Sequence, residues 1–314
     1  MNLEHTTVAV TGATGFLGRY LVDGLEARGA RVVGVVRSPE KAPELLARGT
    51  ELRRADLADP GALERGFVGV DAVVSNAALL SLTRFRVAEY LETNVRGTRN
   101  VLDAAARAGV RRVVQISSDV VYRSVRGAPD EETPLRDPDR TPRPWTAYAL
   151  SKVRAEQEAR RLAAEHDLGL TVLRPDGIYG AFDRTFTRVH KALVAPRWIS
   201  VYPAFMHLPL VYAGDVAEAV AWVLEVSVAS GRAYNLSGGD TTAWAFLRAW
   251  REAGGHVPRV VVPVPVPLRR RLDAARVRAE TGWRPRPAVE ALRETLAAEA
   301  AGPATRRIEP RSAT

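Results

Sequence analysis

A chain of 314 residues, 46% hydrophobic and 26% charged, has a globular composition and enough length for one large domain or two unequal lobes. It holds no cysteine, no apolar run of the roughly 20 residues that span a bilayer and no pattern of a secretory leader; disulfides, thiolate metal sites and a cysteine nucleophile are excluded, no metal is expected, and the expected location is cytoplasmic. The formal charge of +9 is carried almost wholly by arginine, scattered and not interleaved with aromatics, so neither nucleic acid nor membrane is expected as a partner, whereas an anionic small ligand is favoured.

The first half alternates short apolar runs with helical stretches, the pattern of a parallel sheet with crossover helices. Residues 7–10 read as a strand, followed by a glycine turn and a helix over 16–28. A strand at 31–36 is β-branched enough to be buried on both faces. A helix is expected over 39–48, a short strand at 51–54, a helix beginning at 61–65, and a fourth strand at 72–75. A long helix over 87–109, a strand at 113–117, a polar proline-rich loop over 127–144, a long amphipathic helix over 147–166 and a sixth strand at 171–174 complete this half. Beyond Pro175 the spacing predicts a loop and helix at 211–224, a strand at 233–236, and a proline- and valine-rich extended edge segment over 257–267. The expected fold is α/β: a doubly wound parallel sheet of the Rossmann type over 1–175, returning near 211–236, with a smaller, discontinuous C-terminal substrate lobe over 176–301 and a disordered tail over 302–314. Ligands belong at the carboxyl ends of the strands.

Thr11-Gly12-Ala13-Thr14-Gly15-Phe16-Leu17-Gly18 lies between the first strand and its helix. Gly12 permits the tight turn, Gly15 lets backbone approach a pyrophosphate, and Gly18 lets helix and strand pack closely, so the loop reads as a dinucleotide site. Arg37, with Ser38 and Lys41, follows the second strand where an acid would select NAD; a cation there suits the 2′-phosphate of NADP(H), leaving NAD(H) as the alternative. Asp56-Leu57 stands where it could bind the adenine amino group, or serve only as a turn.

Tyr148 and Lys152 are four residues apart, on one face of a helix one turn apart. Only Lys41, Lys152 and Lys191 are lysines, and chance placement among 8 tyrosines gives about 0.08 such pairs. A free phenol titrates near 10, and an ammonium about 4 Å away would lower it by up to about three units, making it a proton-exchange group beside a nicotinamide. Ser118, just beyond the fifth strand, supplies a hydroxyl for the reacting oxygen.

These motifs together resemble the extended short-chain dehydrogenase/reductase superfamily over nearly the whole chain. Thr11–Gly18 is similar to its TGxxGxxG loop, Asn76-Ala77-Ala78 to its strand-four motif, and Asn94-Val95-Arg96-Gly97-Thr98 to the helix motif that follows. Ser118, Tyr148 and Lys152 take the Ser/Thr and YxxxK positions; residues 174–180, from Arg174 through Pro175 and Ile178, resemble the segment that approaches the carboxamide; residues 280–285 resemble the closing helix and loop. The resemblance implies catalysis by Ser118, Tyr148 and Lys152, and cofactor contacts from Gly12, Thr14, Gly15, Phe16, Leu17, Arg37, Ser38, Asp56, Leu57, Asn76, Ala77, Ala78, Ser117, Tyr148, Lys152, Pro175 and Ile178. Departures narrow it. Val120 follows Asp119 where sugar-nucleotide dehydratases carry an Asp-Glu pair, and Arg123 and Asp176-Gly177 replace residues that many sugar epimerases use. The pattern is nearest to dihydroflavonol-reductase-like and steroid-dehydrogenase-like enzymes, and implies an NADP(H)-dependent oxidoreductase interconverting a ketone or aldehyde with an alcohol on a small organic substrate. The alternatives are an epimerase of a sugar or nucleotide sugar, and a redox sensor without turnover. Leu80, Leu82, Phe85, Trp145, Phe182 and Phe205 are the pocket candidates, and a homodimer through a helix pair is the family expectation.

Overall fold

The apolar runs of the first half assemble side by side. In the computed structural model, which describes residues 1–80, 86–123, 127–266 and 268–302, β1 (Thr7–Thr11), β2 (Arg31–Val36), β3 (Glu51–Arg54), β4 (Ala72–Ser75), β5 (Arg112–Ile116) and β6 (Gly169–Pro175) are parallel and lie in the order 3-2-1-4-5-6. The helices between them are α1 (Phe16–Glu26), α2 (Pro43–Ala47), α3 (Pro60–Gly66), α4 (Val87–Tyr90), α5 (Gly97–Arg107) and α6 (Ala147–Glu165). The order reverses between β1 and β4, whose carboxyl ends therefore open a crevice.

Two expected helices are interrupted. The one over 39–48 is a 3₁₀ turn (Pro39–Lys41) followed by α2, because Pro43 brings no N–H and pushes Ala42 out of helical geometry, to φ −136° and ψ 59°. The one over 87–109 contains a π-helical stretch (Leu91–Arg96) between α4 and α5. β5 begins and ends one residue earlier than expected, and β6 is longer, since Gly169 already pairs with Arg112.

In the second half, β7 (Gly177–Tyr179) pairs with β10 (Leu210–Tyr212), β8 (Ile199–Tyr202) with β13 (Val260–Pro263), and β9 (His207–Leu208) with β12 (Thr241–Thr242). β11 (Ala233–Leu236) lies beside β6, making seven strands in the main sheet among the described residues. α7 (Phe186–Val194), α8 (Ala213–Glu225), α9 (Ala243–Glu252), α10 (Ala275–Thr281) and α11 (Ala288–Ala301) complete the chain. The expected edge segment is extended, with Val260 and Val262 exposed on β13. Pro267 and the tail over 303–314 lie outside the described residues.

Strand alternation divides the core. Val8 and Val10 of β1 face a layer with Leu21 of α1 and Val216 and Val220 of α8, while Ala9 faces Leu63, Leu102 and Ala159 of α3, α5 and α6. Each such fully buried Val or Leu stabilises the fold by roughly 1.5–3 kcal/mol before entropy is counted. Gly24 lets α1 lie close on α8: a Cβ there would stand 2.9 Å from the Ala217 methyl. The C-terminal segment is tied to the same helix. Trp283 is fully buried and donates to the Asp215 carbonyl (2.8 Å), and the Arg286 guanidinium meets the Asp215 carboxylate at 2.8 Å. No described helix is long and apolar enough to cross a membrane.

Candidate active site at the carboxyl edge of the sheet

The glycine turn after β1 can be tested for fit to a dinucleotide. Gly12 has φ +68°, and a Cβ on it would come within 3.1 Å of Ala77, at the end of β4. A Cβ on Gly18 would lie 2.1 Å from the Gly12 carbonyl oxygen, so helix and turn meet only because Gly18 has no side chain. Gly15 is the N-cap of α1 and supplies no capping side chain, which leaves the positive end of that helix open to an anion. Thr14 lies in the turn, and its carbonyl accepts from Arg19 Nε at 3.2 Å; Phe16 and Leu17 open the helix. The Thr11 hydroxyl accepts from the backbone N–H groups of Asn76 and Ala77 (3.0 Å each), and Asn76 Nδ2 donates to the Thr11 carbonyl (3.2 Å). The ends of β1 and β4 are thereby joined at the crevice, with Ala78 exposed beside them. These features fit a pyrophosphate-bearing cofactor.

Arg37 extends from the end of β2 with 79% of its side chain exposed, its guanidinium 3.9 Å from Asp56. Ser38 precedes the 3₁₀ turn. Arg54, not singled out in the sequence, donates to the Arg37 carbonyl and to Glu40, at 2.9 Å in each case, and adds a second exposed cation beside the first. Asp56 Oδ1 accepts from the Ala58 N–H (2.9 Å), closing a turn, and the Leu57 carbonyl accepts from Asn100 (2.7 Å).

The proposed catalytic side chains converge from β5 and α6. Ser118 caps a short 3₁₀ turn after β5, its hydroxyl donating to Asp119 Oδ1 (3.2 Å) and lying beside the Tyr148 phenol. Tyr148 is half-buried, and its ring meets Tyr90 edge-on at 6.1 Å. Burial pushes the Tyr148 phenol well above its ordinary range, the neighbouring Ser118 hydroxyl opposes this, and the Asp119 and Tyr90 charges add to the rise. Lys152 is 5% exposed and donates to the Ile116 carbonyl at 3.0 Å; burial brings its ammonium down to about 8, with Glu156 acting in the other direction. The sequence led to a different expectation, that the Lys152 charge lowers Tyr148. Burial acts on both groups in the opposite sense, raising the phenol and lowering the ammonium. Asn94, inside the π-helical stretch, donates to Ser151 Oγ (2.9 Å) and the Leu79 carbonyl (3.1 Å) and accepts from the Leu79 N–H (2.7 Å). The loop after β4 is thus fastened to the helix that carries Tyr148 and Lys152.

Further groups around the site were not assigned to it from sequence. Glu156, one turn beyond Lys152 and fully buried, accepts from Ser117 Oγ (3.1 Å), Arg174 Nε (3.1 Å) and Arg160 (3.1 Å). Its burial opposes ionisation, but the Arg174 hydrogen bond and charge outweigh this and hold the carboxyl below its usual range. Arg174 also reaches the Tyr122 hydroxyl (3.0 Å), which donates to Asn235 Oδ1 on β11 (2.6 Å). The Lys152–Glu156 spacing was a readable signal; the long-range partners were not. Asp119 forms an ion pair with Arg270, and Asp176 is buried at the end of β6. Pro175 pairs with Leu236 and Ile178 lies in β7. Of the pocket candidates, Leu80, Trp145 and Phe205 stand exposed, Phe182 is half-buried with φ +63°, and Leu82 and Phe85 lie outside the described residues.

Comparison with known proteins agrees with this geometry. Residues 8–237 match the model of the NAD dependent epimerase/dehydratase family. A 4-hydroxy-2-methyl-3-oxo-4-farnesyl-3,4-dihydroquinoline-1-oxide ketoreductase of Stigmatella aurantiaca is 37% identical over 56% of this chain, a match that spans about half that relative's length (52%). A cinnamoyl-CoA reductase 1 of Oryza sativa subsp. japonica is 32% identical over 74% of this chain and 71% of its own. The UDP-glucose 4-epimerase of Thermus thermophilus, solved with NAD, superposes with a TM-score of 0.73 at 26% identity, covering 93% of this chain and 98% of its own. The chain belongs to the NAD dependent epimerase/dehydratase family and is an NAD(P)-dependent enzyme of the short-chain dehydrogenase/reductase type.

Proposed function

We propose that this protein is an NADP(H)-dependent reductase that converts a ketone or aldehyde to an alcohol on a small organic substrate, using Ser118, Tyr148 and Lys152. The observation that carries this reading is the convergence of Ser118, after β5, with Tyr148 and Lys152 of α6 at the carboxyl edge of the sheet, where Lys152 is fixed by the Ile116 carbonyl and burial favours the neutral phenol. The bound nicotinamide supplies the hydride. Tyr148 delivers a proton to the substrate oxygen, and the Ser118 hydroxyl hydrogen-bonds the same oxygen and fixes the phenol's direction. Lys152, held by the Ile116 carbonyl and titrating near neutral pH, holds a proton beside that centre. Arg37, exposed beside Asp56, and Arg54 next to it offer the 2′-phosphate of NADP(H) two cations. Two relatives are named as reductases, which supports net reduction.

The experiment is turnover with NADPH and a ketone panel for the parent and Tyr148→Phe. Turnover should fall roughly 10²–10⁴-fold in the variant while NADPH binding is retained. Full activity in the variant refutes the assignment. The solved UDP-glucose 4-epimerase keeps an epimerase as the second reading: nicotinamide absorbance then stays constant as product forms, instead of falling in step with it.

A further inference from the structure

Asp176 stands beside the crevice in a situation that the scheme above does not account for. It lies between β6 and β7, its backbone N–H donating to the Leu236 carbonyl at 2.9 Å, and it is 3% exposed. Neither carboxylate oxygen has a hydrogen-bond partner among the described residues. The Ser237 hydroxyl lies beside the carboxyl without reaching hydrogen-bond geometry, and Asp119 and Arg270 act on it through their charges. Burial, with the Asp119 charge second, pushes the Asp176 carboxyl up to about 7. Buried polar atoms almost always find partners, and a carboxyl left without one costs stability. Its position places it at the working edge: it directly follows β6 at the carboxyl end of the sheet, and the Asp119 carboxylate whose charge acts on it accepts from the Ser118 hydroxyl.

We propose that Asp176 is a substrate-binding residue that takes a hydrogen bond from a hydroxyl next to the reacting carbon, and that with Asp119 it bars substrates placing an anionic group there. The proposal rests on the reductase reading. The charges at this end of the crevice favour a neutral ligand. Arg270 is engaged by Asp119, so a carboxylate or phosphate on the substrate would meet two acids and one committed guanidinium. A carboxyl that titrates near neutrality can both accept from and donate to a hydroxyl, which suits an alcohol better than an ammonium group.

The test compares the parent, Asp176→Asn and Asp176→Leu on acetophenone, its α-hydroxy and α-amino derivatives, and benzoylformate, following NADPH oxidation. The parent should favour the hydroxy ketone in kcat/KM. That preference relative to acetophenone should drop roughly 10–100-fold in Asp176→Leu, the worth of a hydrogen bond to a charged group. Asp176→Asn should retain much of the preference and gain on benzoylformate. Thermal unfolding of the cofactor-free protein at pH 8 is the second readout, where Asp176→Asn should melt higher, since it relieves an unpartnered carboxylate. An unchanged preference in Asp176→Leu, a parent that favours the amino ketone, or a lower melting point for Asp176→Asn would overturn the proposal. If the parent oxidises NADPH with none of these ketones, the reductase reading fails on its own, and the melting comparison still decides whether Asp176 is held against stability.

Discussion

Lys152→Met should yield a protein that is more stable at neutral pH and far less active. Lys152 titrates at about 8 in the fold against 10.5 for a free side chain, a difference of about 2.5 units or about 3 kcal/mol. A base with a lowered folded pKa loses stability where it must carry its charge. The penalty is therefore fully present below pH 8, shrinks as pH rises through 8–10.5, and vanishes above. Methionine removes it and forfeits the hydrogen bond to the Ile116 carbonyl, worth about 1 kcal/mol. The net gain at pH 7 is about 2 kcal/mol, or roughly 4–8 °C in Tm. By pH 10 only about 1 kcal/mol of the penalty remains, so the two proteins should unfold together. Urea denaturation of parent and variant at both pH values measures this, and turnover should fall at least about a hundredfold in the variant. A variant less stable than the parent at pH 7, or one whose advantage persists at pH 10, refutes the view that Lys152 is held buried at the expense of stability.

Arg37→Asp should reverse the ratio of kcat/KM for NADPH over NADH and leave the melting temperature within about 1 °C, because the side chain is 79% exposed and its acidic neighbour Asp56 is 3.9 Å away; equal use of both cofactors by the parent would remove its basis. Glu156→Gln should cost about 3–5 kcal/mol by leaving Arg174 buried without its counter-ion. Because Glu156 raises the Lys152 pKa, the same variant should move any kinetic pKa that belongs to Lys152 downward, and a pH–rate profile with no such shift would separate packing from electrostatics.

Legibility in the sequence followed the range of the interactions involved. The strands at 31–36 and 72–75 coincide with β2 and β4 because valine runs between turns declare themselves locally, and those at 51–54 and 233–236 coincide with β3 and β11 although neither holds a β-branched residue. The helix expected over 39–48 did not survive, because one proline outranks a favourable apolar spacing. The π-helical stretch that turns Asn94 toward Ser151 adds a residue to one turn, which periodicity cannot register. The paired strands of the C-terminal half are two to four residues long and owe their form to partners far along the chain, as β8 does to β13.

The site divides in the same way. Spacing and the scarcity of lysine drew attention to Tyr148, Lys152 and Ser118, but the state of their protons is decided by groups that no local pattern connects. Arg174 reaches Glu156 from 18 positions away, Tyr122 reaches Asn235 from 113, and Arg270 reaches Asp119 from 151. Taken as an isolated pair on a helix, Tyr148 and Lys152 suggest a cation lowering a phenol. Enclosed in the fold, burial pushes the phenol up and the ammonium down, the opposite of what the pair in isolation suggests. The direction of turnover is set by the redox state of the cofactor and by the substrate, and the relatives named as reductases are what tilt the reading toward reduction.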